Sequence, residues 1–265
     1  MSSGLIRPPA ADKAGSNQSV DRALTILQIL AKHPDATVGA VARELDVHKS
    51  TASRLLAALE HHGLVTQSAW RGTYSLGFGL VRLAGAVTAQ SSFPQAAQQA
   101  CEKLSRNLTE TLNVAILDDL AAVNIAQATG NAALYRVHEY VGHRTPLHAT
   151  SSGKVLLAFA DEQTRRAYAL MELKRFTDRT ITDHSALDEE LERVRRRGWA
   201  YSHQEWEDRI NAVAVPVRDP AGQVIAAMTA TGPEHRMPYE DFTDIAARLR
   251  PEADQLGLQG GVQLH

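Results

Sequence analysis

Apolar residues recur at helical spacing in the first quarter of the chain. Over residues 38 to 45 they fall at i, i+3, i+4 and i+7, which predicts a short amphipathic helix with Thr37 as its N-cap. After a short break, a second stripe runs from residue 52 to residue 59 and stops before Gly63, a residue that favours the left-handed end of a helix. Two short helices joined by a tight turn predict a helix-turn-helix.

The second of these helices carries polar and basic side chains opposite its apolar stripe. They are Lys49, Ser50, Thr51, Ser53 and Arg54. Basic side chains bond guanine edges or phosphates, and hydroxyls bond either, when the N-terminus of a helix enters the major groove of DNA. Spacing alone leaves open an ordinary helical hairpin with a solvated face.

The segment after the second helix favours the DNA-binding interpretation. Residues 64–65 and 74–76 predict two short strands around a turn at residues 70–72, which together form the wing of a winged helix. Arg71 lies at the tip of the turn, where it either reaches the DNA backbone or minor groove or is simply solvated. An amphipathic helix beginning near Ser19 is predicted to complete the three-helix core.

The rest of the chain predicts a linker helix followed by an α+β domain. Residues 78 to 90 are too apolar for a flexible linker, and from residue 93 helices and short strands alternate without a glycine-rich dinucleotide turn. Predicted helices span residues 95–107, 151–159, 162–173, 187–197 and 239–255, and predicted strands span residues 113–117, 122–128, 134–141, 200–203, 212–217 and 224–231.

Length and charge add a weak preference for a nucleic-acid partner. The 265 residues suffice for two domains. Residues 1–80 carry 8 Lys and Arg against 6 Asp and Glu, whereas residues 81–265 carry 20 against 24. Residues 1–80 are therefore mildly basic and the rest of the chain is mildly acidic, although a solvated domain can reach such a charge balance by chance.

Cysteine content and hydropathy predict a cytoplasmic protein without a membrane segment. The single Cys101 cannot form an intramolecular disulfide, and the sequence contains neither a signal-peptide pattern nor an apolar run of about 18 residues. Residues 1–18 have no periodic apolar pattern and are expected to form a mobile arm, and residues 259–265 are expected to form a flexible tail.

A hydroxyl-rich segment opens the helix predicted at residues 151–159. Ser151 and Ser152 lie at its start, where free backbone N–H groups and the helix dipole attract anions such as a carboxylate. Simple N-capping by Ser or Thr is the alternative. Ser151 and Lys154 also match the S-x-x-K pattern of serine acyl-transfer enzymes, but the partner motifs S-D-N and K-T-G are absent from the sequence, which disfavours hydrolysis.

Two further patterns bear on ligand binding. Thr229 and Thr231 are two residues apart on a predicted strand and therefore face the same side, although Thr is also common in strands for its β-propensity alone. His138, His143 and His148 recur every five residues, which directs neighbours to different faces of a strand or helix. We therefore expect neither a metal site nor a cofactor.

Several segments together resemble one known family, the isocitrate lyase regulator (IclR) type of bacterial transcription factors. The resemblance lies in SVDRALTILQIL, VHKSTASRLLAALEHHGLV, YSLGFGLVRLA, GHRTPLHATSSGKVLLAF and AVAVPVRDPAGQVIAAMTATGP, and it extends from Ser19 to about Gly257. It implies a winged helix-turn-helix at residues 19–77, a linker helix at residues 78–92, and a GAF-like antiparallel-sheet domain that binds an effector at residues 93–258.

The resemblance also implies roles for residues of the second domain. Similar proteins bind their effector against the Ser151 and Ser152 loop, through small hydroxyl residues on the last strand, and near Ser202 and the segment before AVAVPV. The candidate effector-binding residues are Ser151, Ser152, Ser202, Glu205, Arg209, Ala212, Thr229 and Thr231. Arg209 stands where the family usually has glycine, so it either protrudes harmlessly or adds a cation suited to a carboxylate.

These features predict a transcription regulator whose affinity for operator DNA changes when a small organic or aromatic acid binds. The expected partners are a palindromic double-stranded operator, a small carboxylate effector and a second copy of the chain, because similar proteins form dimers or dimers of dimers. The alternative function is a metabolite-converting enzyme that carries a vestigial winged helix.

Overall fold

The structure of the protein is a computed structural model, and it describes residues 18–68, 72–90, 92–130 and 141–259, with the side chains of residues 86–90 left aside. The chain divides into two compact units between Gln90 and Ser91. Arg71, residues 1–17 of the predicted arm and residues 260–265 of the predicted tail lie outside the described residues.

The first unit has the predicted winged helix-turn-helix arrangement. Its elements in chain order are α1 Gln18–Lys32, β1 Ala36–Thr37, α2 Val38–Glu44, α3 Lys49–His61, β2 Val65–Gln67, β3 Thr73–Leu76 and α4 Gly79–Gln90. The three strands form a small antiparallel sheet in the order β1-β3-β2. Ile26, Leu30, Val41 and Leu56 are buried together, so α1, α2 and α3 share one core.

Local signals in the sequence account for the ends of these helices. Thr37 caps α2, because its Oγ1 accepts a hydrogen bond from the backbone N–H of Ala40 at 3.3 Å. Gly63 follows α3 with a φ of 69°, the left-handed conformation that ends a helix and that glycine adopts without strain. The short strand β1 was not predicted, because two residues are too few to show alternation.

The second unit is an antiparallel sheet covered by helices on both faces. Its elements are α5 Phe93–Leu108, β4 Thr111–Asp118, β5 Ala121–Ala128, β6 Arg144–Pro146, α6 Ser151–Phe159, α7 Glu162–Ala169, α8 His184–Arg197, β7 Ala200–His203, β8 Ile210–Arg218, β9 Val224–Pro233 and α9 Phe242–Gln259. The described strands are ordered β6-β5-β4-β9-β8-β7, and all five pairs of neighbouring strands in this order are antiparallel.

Alternation along the central strands assigns one set of helices to each face of the sheet. On β9, Met228 and Ala230 pack with α5 and α9, whereas Ala227 packs with α6 and α8. On β8, Val213 and Val215 belong to the first face and Ala214 to the second. Side chains that alternate across a strand therefore build two cores, one on each side of the sheet.

One predicted element of this unit differs from the observed one, one observed strand was not predicted, and one predicted strand lies mostly outside the described residues. The helix predicted at residues 162–173 ends at Ala169, because the carbonyl groups of Met171 and Lys174 accept hydrogen bonds from the rings of His184 and His148 instead of continuing a helical ladder. The short edge strand β6 was missed, and it ends in a proline. Of the strand predicted at residues 134–141, residues 134–140 lie outside the described part of the chain.

Candidate ligand cavity and DNA-reading helix

A cavity lies between the N-terminus of α6 and one end of the large sheet. Its volume is about 60 Å³. The residues that line it are Asn113, Asn124, Thr145, Thr150, Ser151, Ser152, Ser202, Trp206, Glu207, Ile210, Ala212, Thr229 and Thr231. Most of these side chains are hydroxyls or amides, and among the described residues none that lines the cavity is a Lys, Arg or His.

Small residues on one face of the sheet let α6 pack close to the strands. The cavity lies at the N-terminal end of this helix. Ala115, Ala122, Ala214 and Ala227 are buried on the face that α6 covers. Gly153 permits the approach of α6 to the preceding loop, because a Cβ at this position would lie 2.5 Å from Cα of Leu147. Farther along the same face the alanines give way to polar residues, and the space between these residues and α6 is the cavity.

The register of the strands brings the predicted residues of the sheet to this cavity. Ser202 on β7 pairs with Ala212 on β8, and Ala212 pairs with Thr231 on β9. In the neighbouring row, Thr229 pairs with Asn113 on β4. The spacing of Thr229 and Thr231 therefore places both on the cavity side, as the strand period predicts.

The helix α6 is capped by Thr150, and the serines that follow are left for other partners. Thr150 Oγ1 accepts a hydrogen bond from the backbone N–H of Gly153 at 3.1 Å and donates one to the carbonyl of Pro146 at 2.8 Å. Ser151 and Ser152 are the first two residues of the helix, so their backbone N–H groups have no acceptor within it. The N-cap of α6 is therefore Thr150, so helix capping does not explain the presence of serines at positions 151 and 152.

Two buried hydroxyls on the cavity wall have no hydrogen-bond partner among the described residues. They are Oγ of Ser151, on α6, and Oγ1 of Thr229, on β9. Ser202 differs, because its Oγ donates a hydrogen bond to the carbonyl of Ala149 at 2.8 Å. Buried polar groups in proteins are nearly always paired, so these two hydroxyls mark the surface at which a polar ligand is expected.

Glu205, a candidate effector-binding residue, does not line the cavity. Its carboxylate lies 2.7 Å from the ammonium of Lys154, and both side chains are almost fully buried. Burial raises the pKa of the Glu205 carboxyl above its usual range, and the Lys154 charge opposes that shift. Because Lys154 bonds Glu205 and Ser151 Oγ lacks a hydrogen-bond partner, the S-x-x-K motif has no activated nucleophile.

Arg209 is exposed and is also absent from the cavity lining. Its φ is 61°, a left-handed backbone conformation that favours glycine. This conformation suits the glycine that the family resemblance implies at this position. Of the two interpretations of Arg209, the geometry agrees with a side chain that protrudes from the loop.

The cavity also includes residues that the sequence analysis missed. Asn113 and Asn124 are buried in the interiors of β4 and β5, and Trp206 and Glu207 come from the loop after β7. A buried amide in an otherwise apolar strand is the signal that would have identified the two asparagines. Asn113 Nδ2 donates to Oε1 of Gln127 at 3.3 Å, which orients its carboxamide.

The second helix of the helix-turn-helix presents the predicted polar face to solvent. On α3 the side chains of Lys49, Ser50, Ser53 and Arg54 are exposed, and Thr51 is half-buried. Ala52, Leu56 and Leu59 on the same helix are buried in the core of the unit. The exposed face and the N-terminal position of these donors suit a recognition helix in the major groove.

Fold and site together define a class of protein, a winged-helix DNA-binding protein with a separate ligand-binding unit. The family profiles give the particular family. The profile of the IclR helix-turn-helix domain matches residues 19–69, and that of the C-terminal region of the bacterial transcriptional regulator IclR matches residues 86–258. The chain therefore belongs to the IclR family of bacterial transcriptional regulators, and it is a DNA-binding regulator, not an enzyme.

Individual relatives agree with this assignment. The HTH-type transcriptional regulator KdgR of Escherichia coli is 31% identical over 247 residues, which are 93% of this chain and 94% of that protein. The crystal structure of an IclR-type regulator from Alicyclobacillus acidocaldarius superposes with a TM-score of 0.82 at 27% identity, covering 93% of this chain and all of that one. 

A third comparison concerns the fold alone. An IclR homologue from Microbacterium hydrocarbonoxydans, crystallised with 4-hydroxybenzoate, has a TM-score of 0.78 at 24% identity over 90% of this chain and 98% of that chain. Within the described residues, no helix combines the length and the apolar character that a membrane span requires.

Proposed function

We propose that this regulator changes its affinity for operator DNA when a compact hydroxylated carboxylate binds in the cavity beside α6. The observation that carries the proposal is the pair of buried hydroxyls, Ser151 Oγ and Thr229 Oγ1, which border the cavity and have no partner among the described residues. Leaving such groups unpaired costs about 1–3 kcal/mol each, and a ligand that bonds them recovers this free energy.

The carboxylate is expected at the start of α6. The backbone N–H groups of Ser151 and Ser152 and the helix dipole favour negative charge there, and the Ser151 hydroxyl adds a third donor. Because the described residues that line the cavity include no Lys, Arg or His, the donors of this anion site in that part of the chain are neutral. Neutral donors hold a carboxylate less tightly than a bidentate arginine does, so the rest of the ligand has to contribute to affinity.

The opposite wall favours ligand hydroxyl groups. Asn113, Asn124 and Thr229 project from the sheet, and amides and hydroxyls both donate and accept hydrogen bonds. A site built to bond hydroxyl groups discriminates strongly against an analogue that lacks them, because its own polar groups are then left unpaired. The ligand class is therefore a hydroxy acid, in preference to a simple aliphatic or aromatic acid.

The volume of the cavity favours a short molecule. One water-sized position takes roughly 10–15 Å³ of such volume, so about 60 Å³ corresponds to roughly four to six positions. A two- or three-carbon acid matches this number better than the larger benzoate does. Trp206 on the wall limits the length of the ligand on the side of the loop.

A calorimetric titration tests the ligand class. Glycolate, lactate, D-glycerate and D-erythronate would be compared with acetate, propionate, butyrate, benzoate and 4-hydroxybenzoate. We expect the hydroxylated acids to bind at least tenfold more tightly than their deoxy analogues and the benzoates to bind weakest. Preferential binding of the benzoates, or no binding of any acid, would contradict the proposal.

The other half of the proposal is DNA binding by an assembled protein. We infer that residues 19–77 bind one half of a palindromic double-stranded operator, that residues 78–92 link the two domains, and that residues 93–258 bind the effector. Exposed apolar side chains in the first unit, Val20, Leu24, Phe78, Val81 and Leu83, support contacts with a second copy, and the assembly is a homodimer or a dimer of dimers. The cytoplasm, where operator DNA lies, is its expected location.

Coupling between the two halves is tested on the operator itself. The DNA upstream of the gene and its neighbours would be tested in mobility-shift assays with and without the strongest acid from the calorimetric panel. A ligand that shifts the operator-binding equilibrium must bind the two states of the regulator with different affinity. A saturating ligand that leaves operator affinity unchanged would show that the cavity does not control DNA binding.

A further inference from the structure

A buried ion pair connects two segments of the chain that both contribute residues to the lining of the cavity. Lys154 lies on α6, one turn after Ser151, and Glu205 lies in the loop of residues 204–209 that connects β7 and β8. The Lys154 ammonium is 2.7 Å from the Glu205 carboxylate, and the lysine is about 1% exposed. Neither side chain lines the cavity, but Ser151 and Trp206, which do, lie on the same two segments.

Other contacts of the 204–209 loop converge on the same residue. Glu205 Oε1 accepts a hydrogen bond from the backbone N–H of His203 at 3.2 Å, and the Glu205 carbonyl accepts one from Thr180 Oγ1 at 2.7 Å. Thr177 Oγ1 donates to the carbonyl of Gln204 at 2.6 Å. The loop therefore has directional bonds on both its backbone and its buried carboxylate.

The aromatic residue of the loop, Trp206, lines the cavity and packs against a second aromatic ring. The ring centroid of Trp206 lies 4.4 Å from that of Phe176, and Phe176 in turn lies 5.8 Å from His148. Rotation of the loop about its ends would displace Trp206 relative to Ser151. The ion pair connects this loop directly to α6.

Stability alone does not account for a buried ion pair at this place. Removing two charges from water is costly, and exchange of a buried pair for well-packed apolar residues of similar volume is often neutral or stabilising. Ion pairs do differ from apolar contacts in being directional, because the ammonium has to meet the carboxylate oxygens at hydrogen-bond distance.

We propose that Lys154 and Glu205 are positioning residues that hold the 204–209 loop against α6 at the separation that shapes the cavity. The proposal rests on the proposed function, since that cavity is the effector site. Affinity for an effector then depends on a charge pair that the effector never touches.

Hydrogen exchange in the ligand-free protein tests the positioning role without any ligand. The amides of His203, Gln204 and Ile210 report on the loop, because Gln204 N–H donates to the carbonyl of Ile210 and Ile210 N–H to that of Glu207. In Lys154→Met we expect these amides to exchange at least tenfold faster, with little change in β4 or α9. The double variant Lys154→Met/Glu205→Met removes both charges, so its melting temperature should return to within a few degrees of the wild type.

The double variant separates positioning from stability. If the pair positions the loop, the amides of Gln204 and Ile210, whose acceptors are backbone carbonyls, still exchange at least tenfold faster in the double variant, although its stability is restored. D-Glycerate, the ligand probe, should bind at least tenfold more weakly to both variants. Glu162→Gln, which breaks the exposed pair between Glu162 and Arg166 on α7, is the matched control and should behave as the wild type.

Two results overturn the proposal. One is wild-type exchange of the loop amides in the double variant, which would mean that the pair merely balances charge. The other is exchange that is accelerated equally throughout the second unit in Lys154→Met. Failure of D-glycerate to bind the wild-type protein would count against the proposed ligand class, while the exchange data would still decide the role of the pair.

Discussion

Ser151 on α6 and Thr229 on β9 line one cavity, and neither hydroxyl oxygen has a hydrogen-bond partner in the described part of the protein. The two residues are far apart in sequence and border the same cavity because α6 crosses the face of the sheet on which Thr229 lies. A folded protein rarely keeps two unpaired buried hydroxyls at one cavity unless a ligand completes their bonding. This relationship leads to the first prediction.

Ser151→Ala and Thr229→Val should weaken ligand binding without weakening the fold. Each change removes one hydroxyl, so affinity for the strongest acid should fall by about 1 kcal/mol, roughly fivefold. Stability should be unchanged or should rise by up to about 1 kcal/mol, because an unsatisfied polar group is removed from a buried position. Calorimetry and denaturant unfolding measure the two effects.

The matched control is Ser202→Ala. Its hydroxyl is bonded to the Ala149 carbonyl, so this change should lower stability by about 1 kcal/mol. Lower stability in Ser151→Ala and Thr229→Val as well would show that their hydroxyls already have partners, and would argue against a ligand at this site.

Lys49→Ala and Arg54→Ala should each weaken operator binding while the fold is retained. Both side chains are exposed on α3, and loss of one good base contact costs about 1–3 kcal/mol, which a dimer loses at each half-site. Fluorescence anisotropy on the operator measures the loss. Arg166→Ala, an exposed arginine of the second unit, is the control, and wild-type affinity in both α3 variants would exclude this helix from DNA recognition.

Arg209→Gly should leave ligand affinity unchanged and should keep or raise stability. Arg209 is exposed, does not line the cavity, and has a φ of 61° that costs a non-glycine residue about 1 kcal/mol. Arg209→Ala retains the backbone strain and serves as the comparison in both unfolding and calorimetric experiments. A loss of about 2–5 kcal/mol of ligand affinity in both variants would instead place the guanidinium on the carboxylate.

His148→Gln should reduce the loss of stability on acidification. His148 Nε2 lies 2.9 Å from the Lys174 carbonyl, which only accepts, so Nε2 carries the proton and Nδ1 accepts from the Tyr168 hydroxyl at 2.8 Å. This ring is neutral, and burial holds its pKa below the usual 6.5.

The sign of the pH effect follows from that lowered pKa. Below about pH 6.5 the unfolded chain binds a proton that the folded His148 does not, so stability falls as pH falls through this range. Between pH 7.5 and pH 5.5 the melting temperature of the wild type should drop further than that of His148→Gln. His203 shifts in the same direction in both proteins and cancels in the comparison. Equal drops in the two proteins would mean that His148 is charged in the folded state.

Val81→Asp should weaken self-association and, with it, operator binding. Val81 is 61% exposed on α4, and Phe78, just before that helix, is 82% exposed, so both are available to a second copy. Sedimentation velocity at micromolar concentration should show a dimer or tetramer for the wild type and smaller species for the variant. Leu170→Asp, at a single exposed leucine of the second unit, is the control and should leave association unchanged.

Features set by neighbouring residues were predictable from the sequence. The stripe of α3, the Thr37 cap, the left-handed Gly63 and the shared face of Thr229 and Thr231 all follow from periodicity or from the conformational preference of one residue. The winged helix followed from the residue pattern as well, the family resemblance then supplied the GAF-like effector domain, and family profiles match both regions of the chain.

Contacts between distant segments were decided by the tertiary structure. Strand register pairs Asn113 with Thr229, and Thr150 in the loop before α6 is the N-cap of that helix. Lys154 forms its ion pair with Glu205, 51 residues later in the sequence. Local spacing contains no information about register or about which helix crosses which face of a sheet. The resemblance implied effector contacts for Glu205 and Arg209, but neither lines the cavity, because the Glu205 carboxylate pairs with Lys154 and Arg209 is exposed.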